Sequence, residues 1–241
     1  MTGLVGQVAV ITGASSGIGK AIALRLAKEG ADLCLIGRNI AALEEVGKTA
    51  GKGVGEIGCY QADLSIEEDI TGLSNRILRD RGHIDILIHS AGVISQGEIQ
   101  FSSVQDLDWQ YSINVRAPYM LTKAFLPTLI NRRGEIVFIN SSMGLTSRPK
   151  VGQYAATKFA LKAFADSIRE EVNPHGVRVL SVFLGRTASP MQAAVHDYEG
   201  KLYVPERLIQ PEDVAGIVLS SLSLPRTAEV VEIRVRPFLK H

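Results

Sequence analysis

Three side chains in the middle of the chain have the types and spacing for proton transfer at a carbonyl or an alcohol: Ser141, Tyr154 and Lys158. Tyr154 and Lys158 stand four apart at the start of a predicted helix, so they share a face. A free phenol, with a pKa of about 10, is a poor base at neutral pH. An ammonium about 4 Å away, at an effective dielectric near 20, contributes roughly 4 kcal/mol. That is about three pKa units, enough to poise the phenol for acid–base work. Ser141 ends a predicted strand and could donate a hydrogen bond to a substrate carbonyl. The plain alternative for the pair is a solvated Tyr–Lys contact on a helix surface. Asn114 lies in an apolar helical stretch, Ile113-Asn114-Val115, where an amide must be hydrogen-bonded. It could hold a water that passes protons to Lys158, make a core hydrogen bond, or mark a local helix kink.

A second constellation is suited to an anion. The apolar run Val8-Ala9-Val10-Ile11 reads as a buried strand, and Ala21 to Ala27 as an amphipathic helix ending near Gly30. Between them lies Thr12-Gly13-Ala14-Ser15-Ser16-Gly17-Ile18-Gly19, with glycines spaced GxxxGxG. Free N–H groups and the dipole at the helix start favour a phosphate, and glycine admits its close approach. Gly13 to Gly17 also fits G-x-S-x-G, a nucleophile elbow that would make Ser15 a hydrolase nucleophile. Such an elbow needs an oxyanion donor from an earlier loop, and only one strand precedes this turn. Arg38 closes the next strand, some twenty residues on, where an NAD site usually carries an acid. A guanidinium can instead bind a 2′-phosphate bidentately, so the expected cofactor is NADP(H) rather than NAD(H). The alternative is a solvated Arg at a helix start. Asp63 could hold an adenine amine or simply turn the chain.

The elements needed to position these groups follow in order. Residues 31–38 read as strand two, 40–50 as a helix, and 54–61 as strand three, leading to Asp63-Leu64-Ser65. A helix over 66–79 follows with Ser65 as N-cap. Residues 84–89 are strand four, 103–132 one long helical stretch, 135–140 strand five, and 153–173 a second long helix stopped by Pro174. Residues 178–183 are strand six, followed by a less regular segment; a helix begins near Pro211 and 230–235 is a last strand. The βαβα alternation predicts one parallel sheet with helices on both faces, with ligands at the carboxyl ends of the strands.

The 241 residues are 46% hydrophobic and 21% charged, with a formal net charge of +1. There is no basic block for nucleic acid or a membrane surface, no apolar run of transmembrane length and no signal-peptide pattern at the start. Cys34 and Cys59 both fall in predicted strands and are expected to be buried free thiols in a reducing cytosol.

Taken together, the residues Thr12 to Gly19, Asp63-Leu64, Ala91-Gly92, Asn114, Ser141, Tyr154-Ala155-Ala156-Thr157-Lys158 and Gly185 resemble the short-chain dehydrogenase/reductase family, over about residues 5–236. The resemblance implies a Rossmann-like doubly wound α/β domain of about seven strands spanning residues 1–241, interconverting an alcohol and a carbonyl. It implies a tetrad: Tyr154 as acid/base, Ser141 (favoured over Ser142 by its spacing) orienting the carbonyl, Lys158 on the nicotinamide ribose, and Asn114 keeping a relay water. Gly13, Ser15, Ser16, Gly17, Ile18, Gly19, Arg38, Asp63, Leu64, Ser90, Ala91, Gly92, Tyr154, Lys158, Gly185 and Thr187 would contact the cofactor. Ser189 competes with Thr187 for the carboxamide. A homodimer or homotetramer is expected, two copies pairing through the helices that carry Asn114 and Tyr154. Two departures stand out. His89-Ser90 replaces Asn-Asn before Ala91, and His89 is expected to take over a framework role, a metal ligand being improbable without partner ligands nearby. Leu184 replaces the Pro before Gly185, losing a stiff turn. His83 and His175 are expected to be solvated. His196, Tyr198 and Tyr203 shape a pocket or pack at the surface, and Trp109 is expected to pack a helix. A non-catalytic NADP(H)-binding scaffold on the same fold is the alternative function.

Overall fold

The structure, a computed structural model, describes residues 3–51 and 55–239. Val54, the expected start of strand three, lies outside them. Seven strands, β1 (Val8–Thr12), β2 (Asp32–Gly37), β3 (Ile57–Gln61), β4 (Ile86–His89), β5 (Glu135–Ser141), β6 (Arg178–Leu184) and β7 (Glu232–Val235), form one sheet in the order β3-β2-β1-β4-β5-β6-β7. Every pairing is parallel. This is the Rossmann-like α/β architecture. The strand order reverses between β1 and β4, which places a crevice outside their carboxyl ends.

Both faces are covered, as a parallel sheet requires. Successive residues of β1 and β2 alternate between two cores: Ala9, Ile11, Leu33 and Leu35 face one, Val8, Val10, Cys34 and Ile36 the other. Helices α1 (Gly17–Lys28) and α2 (Ile40–Ala50) close the first face, together with a helix near the C-terminus. The second is closed by α3 (Glu67–Arg81) and by long helices that follow β4 and β5. Cys34 is buried and Cys59 only partly so; neither is in a disulfide. Among the described residues, no helix is long and apolar enough to cross a membrane.

Three local expectations are corrected. Ser65 does not cap α3: the N-cap position is Ile66, and Ser65 donates both its N–H and its hydroxyl to Asp63 Oδ1, at 2.9 and 2.7 Å. The single helix over 103–132 is α4 (Val104–Tyr111) and α5 (Ala117–Arg132), joined by a π-helical turn over Ser112–Arg116. The cause is in the sequence: Pro118 has no N–H to give the carbonyl of Asn114 four residues back, so the regular ladder fails there. The irregular stretch after Gly185 contains a further helix, α7 (Pro190–Tyr198), capped by Ser189, whose Oγ accepts from the Gln192 N–H at 3.2 Å. Between α5 and α7 lies α6 (Gly152–Val172), and α8 (Pro211–Leu222) is the helix that packs beside α1. His175 is exposed, as expected, whereas His83 leans on Asp85 at 3.2 Å.

Candidate active site

The crevice at the β1–β4 reversal is tied together by one hydroxyl. Thr12 Oγ1 accepts from the N–H groups of Ser90 and Ala91, each at 3.0 Å, and donates to the Ile88 carbonyl at 3.4 Å. The glycine-rich turn therefore lies against the turn after β4. The fit is too close for side chains. A Cβ on Gly13, which has φ +68°, would stand 2.9 Å from Ala91, and one on Gly19 would run into the Gly13 carbonyl oxygen.

Two lobes open from this point. The first is lined by the glycine turn with Ser15, Ser16 and Ile18, by Arg38 and Asp63 after β2 and β3, by Leu64, and by Ser90, Ala91 and Gly92. The Ser16 side chain makes no capping bond to α1, and there is no acid in that helix's first turn, so its leading N–H groups face the lobe with positive potential. Asp63 fills the turning role proposed for it, and it also lines the lobe. Its carboxyl is held below the usual range by the two Ser65 hydrogen bonds and, more weakly, by the Arg38 charge. The second lobe, about 290 Å³, is lined by Ser141, Tyr154, Lys158, Gly185 and Thr187. Ile18, Ser90, Gly92, Ser189 and Met191 border both, so the two are one continuous cleft. Thr187 is buried and donates to the Gly185 carbonyl at 3.2 Å, while the Ser189 hydroxyl is taken up with capping α7. Leu184 stays in the β6 ladder, pairing Ser141 and Val235, so the strand keeps its course without the proline.

Asn114 lines neither lobe. Its Oδ1 accepts from Val93 N at 2.9 Å, and its Nδ2 donates to the Val93 carbonyl at 2.9 Å and to Thr157 Oγ1 at 3.0 Å. The side chain is thus committed to the framework. The core hydrogen bond and the helix kink offered as alternatives for this residue occur together. It still reaches the site: a Cβ on Gly92 would meet Asn114 Oδ1 at 3.4 Å and Lys158 Nζ at 3.6 Å. Asn140, which sequence reasoning passed over, positions two of the tetrad at once. Its Oδ1 accepts from Ser141 N at 2.7 Å and its Nδ2 donates to the Lys158 carbonyl at 3.2 Å.

Tyr154 and Lys158 are both buried, 8% and 4% exposed. Burial pushes the Tyr154 phenol up, opposed by a hydrogen bond with Ser141. Burial pushes the Lys158 ammonium down, from 10.5 to about 8. The expectation that the lysine's field lowers the phenol is therefore not met by these two groups alone. Lys158 Nζ stands 5.7 Å from the ring centroid, over the ring face, and desolvation acts on both partners.

His89 takes a framework place. It is fully buried, stacked on Phe138 at 4.9 Å, with Nε2 2.9 Å from Thr122 Oγ1, which joins the end of β4 to α5. Burial lowers its pKa to about 3, so it is neutral. His196 is buried as well, edge-on to the Tyr203 ring at 5.4 Å, while Tyr198 is exposed. Trp109, expected to pack a helix, is 38% exposed and, with Met191 and Tyr198, lines a shallow groove beside the cleft.

The sequence profile of the short chain dehydrogenases matches residues 7–200, and the chain belongs to that oxidoreductase family. It is similar to an uncharacterised short-chain type dehydrogenase/reductase of Sinorhizobium fredii, 36% identical over 236 residues, covering 96% of this chain and 91% of the relative. Among solved structures, a metagenomic short-chain oxidoreductase in complex with NADP superposes with a TM-score of 0.85 at 32% identity, covering 98% of this chain and 99% of that one. An NAD⁺-bound xylitol dehydrogenase superposes at 0.88 with 25% identity, covering 97% and 99%. The family assignment displaces the nucleophile-elbow reading of Ser15, which lies instead in the anion-suited turn.

The buried ammonium has a measurable cost. With the pKa of Lys158 lowered from 10.5 to about 8, charging it in the fold is unfavourable at every pH below about 8. The penalty is on the order of 3 kcal/mol and fades as pH rises from about 8 towards the unfolded value. Lys158→Met is expected to be more stable than the parent at pH 7, with the gap closing by about pH 10. Urea denaturation across this range checks it, and a variant less stable at pH 7 would refute it.

Proposed function

We propose that the chain is an NADP(H)-dependent oxidoreductase that interconverts an alcohol and a ketone or aldehyde, with Tyr154 as the acid/base. The observation that carries this reading is one continuous cleft that has an uncapped helix start and Arg38 at one end and Ser141, Tyr154 and Lys158 at the other. The first lobe suits a dinucleotide. The glycine turn and the first, uncapped turn of α1 line it, which suits a diphosphate. Arg38, exposed and without an acid beside it in the chain, suits a 2′-phosphate. The NADP bound to the metagenomic relative supports the same reading.

When bound, the reduced nicotinamide supplies a hydride to the carbonyl carbon. The protein's own part is proton handling. Tyr154 gives its phenolic proton to the carbonyl oxygen in reduction and takes it back in oxidation, while the Ser141 hydroxyl donates to the same oxygen. Lys158 holds the ribose hydroxyls. Asn114 keeps the water that replenishes the proton, its backbone carbonyl being deprived of its regular donor by Pro118.

The scaffold alternative is disfavoured because Asn140 and Thr157 hold the tetrad residues in place at hydrogen-bond distance. The exposed rings of Tyr111, Tyr119 and Phe159 lie on α4, α5 and α6 and suit the expected pairing of two copies through these helices. Light scattering is expected to give a mass near a multiple of 26.0 kDa rather than 26.0 kDa itself.

Tyr154→Phe is expected to keep NADPH affinity and to lower kcat by about 10²–10⁴-fold. Reduction at the parental rate would remove the assignment. Arg38→Asp is expected to shift the kcat/KM ratio of NADPH over NADH towards NADH by about tenfold or more, the factor equivalent to about 1.4 kcal/mol. An unchanged ratio in steady-state kinetics would take Arg38 out of the site.

A further inference from the structure

The proton chemistry leaves one wall of the second lobe unexplained, and that wall is cationic. Arg148, on the loop between β5 and α6, and Arg186, just after β6, both line the lobe that holds Tyr154. They converge on Glu199 at the end of α7. Its Oε1 accepts from Arg148 Nη2 at 3.2 Å and from Arg186 Nη2 at 2.8 Å. Its Oε2 accepts from the same Arg186 Nη2 at 2.7 Å and from Lys201 Nζ at 2.9 Å. One carboxylate therefore faces three cations. Partial burial raises the Glu199 carboxyl, but the hydrogen bonds from Arg186 and Lys201 outweigh this and hold it at about 2, so it stays charged.

The two arginines are not equivalent. Arg186 is 18% exposed and largely engaged: Nη2 spans both oxygens of Glu199, and Nη1 lies 3.4 Å from His196 Nε2. The His196 Nδ1–H donates to the Gln192 carbonyl at 2.8 Å, which leaves Nε2 as the acceptor for Arg186. Arg148 is 45% exposed and gives Glu199 a single contact. A guanidinium carries five donors in a planar fork. A strap holding α7 in place needs one cation opposite one carboxylate. The surplus here faces a cavity whose remaining wall includes Val151, Leu184 and Val195. Positive charge beside apolar surface is costly unless an anion answers it, and a guanidinium matches an oxyanion bidentately.

We propose that Arg148, backed by Arg186, binds an oxyanion on the substrate, so that the carbonyl compound reduced at Tyr154 carries a carboxylate or a phosphate. This rests on the carbonyl-reductase reading above, and names its substrate class. Arg148 is a specificity residue: it selects the substrate by charge and has no part in the proton transfer.

The test separates the two readings. Calorimetric titration of the NADP⁺-saturated protein with pentanoate, pentanamide and inorganic phosphate reads the anion site without turnover. Pentanoate or phosphate is expected to bind at least tenfold more tightly than pentanamide, and Arg148→Gln to lose at least tenfold of that preference, with Arg148→Lys intermediate. Which of the two anions binds distinguishes carboxylate from phosphate. Equal binding of pentanoate, phosphate and pentanamide, no binding of any, or an unchanged preference in Arg148→Gln overturns the proposal. In parallel, NADPH oxidation with 4-oxopentanoate against its methyl ester, and dihydroxyacetone phosphate against dihydroxyacetone, is expected to favour a charged member in kcat/KM, through KM. Tight NADPH binding with no reduction of any carbonyl tried would overturn the reductase reading, while the titration still decides the anion site.

Discussion

The hydroxyl of Thr12 is the joint on which the site depends. A doubly wound sheet separates its helices where the strand order reverses, and the gap has to be held at a fixed width to be of use. Thr12 does this with three hydrogen bonds, two received from the turn after β4 and one given to the strand itself. The contact between the two turns is close enough that Gly13 has no room for a side chain. Everything placed on the rim takes its position from this contact: α1 on one side, Gly92 on the other, and behind Gly92 the amide of Asn114 and the ammonium of Lys158.

The rim is kept at a thermodynamic loss. Lys158 and Tyr154 are both buried, and in both cases desolvation disfavours the charged form. The opposing contributions are few: one hydrogen bond from Ser141 and the face of the tyrosine ring beneath the lysine. The groups around them are rigid. Asn140 holds Ser141 and Lys158 together, and Thr157 joins Asn114 to the backbone of Tyr154 through hydrogen bonds of 3.0 and 2.8 Å. The local instability is set against a core that packs both faces of the sheet.

Much of this was legible in the chain itself, where local chemistry decides the structure. The glycine turn, the YxxxK pair and the alternation of strands and helices each rest on steric or periodic rules that act over a few residues. What was missed depends on tertiary context or on combinations of residues that are individually ordinary. Ser65 has the type of an N-cap, but Asp63 two residues earlier captures its N–H and hydroxyl. A kink at Asn114 was among the readings offered, but its extent as a π-helical turn was not, since a proline near a helix start is usually harmless. Arg148, Arg186 and Glu199 are far apart in sequence, and no spacing rule brings them together. Asn140 gave no signal beyond its place at the end of a strand.

Helix α7 reaches across both lobes: Ser189 and Met191 border the two of them, and a Cβ on Gly17 would touch Ser189 at 3.3 Å. A single element therefore borders both lobes. If filling one lobe altered the seat of this helix, the affinities at the two lobes would be linked, and by the same factor in each direction. A substitution in the helix that reshaped the inner lobe would then be felt at the outer one as well.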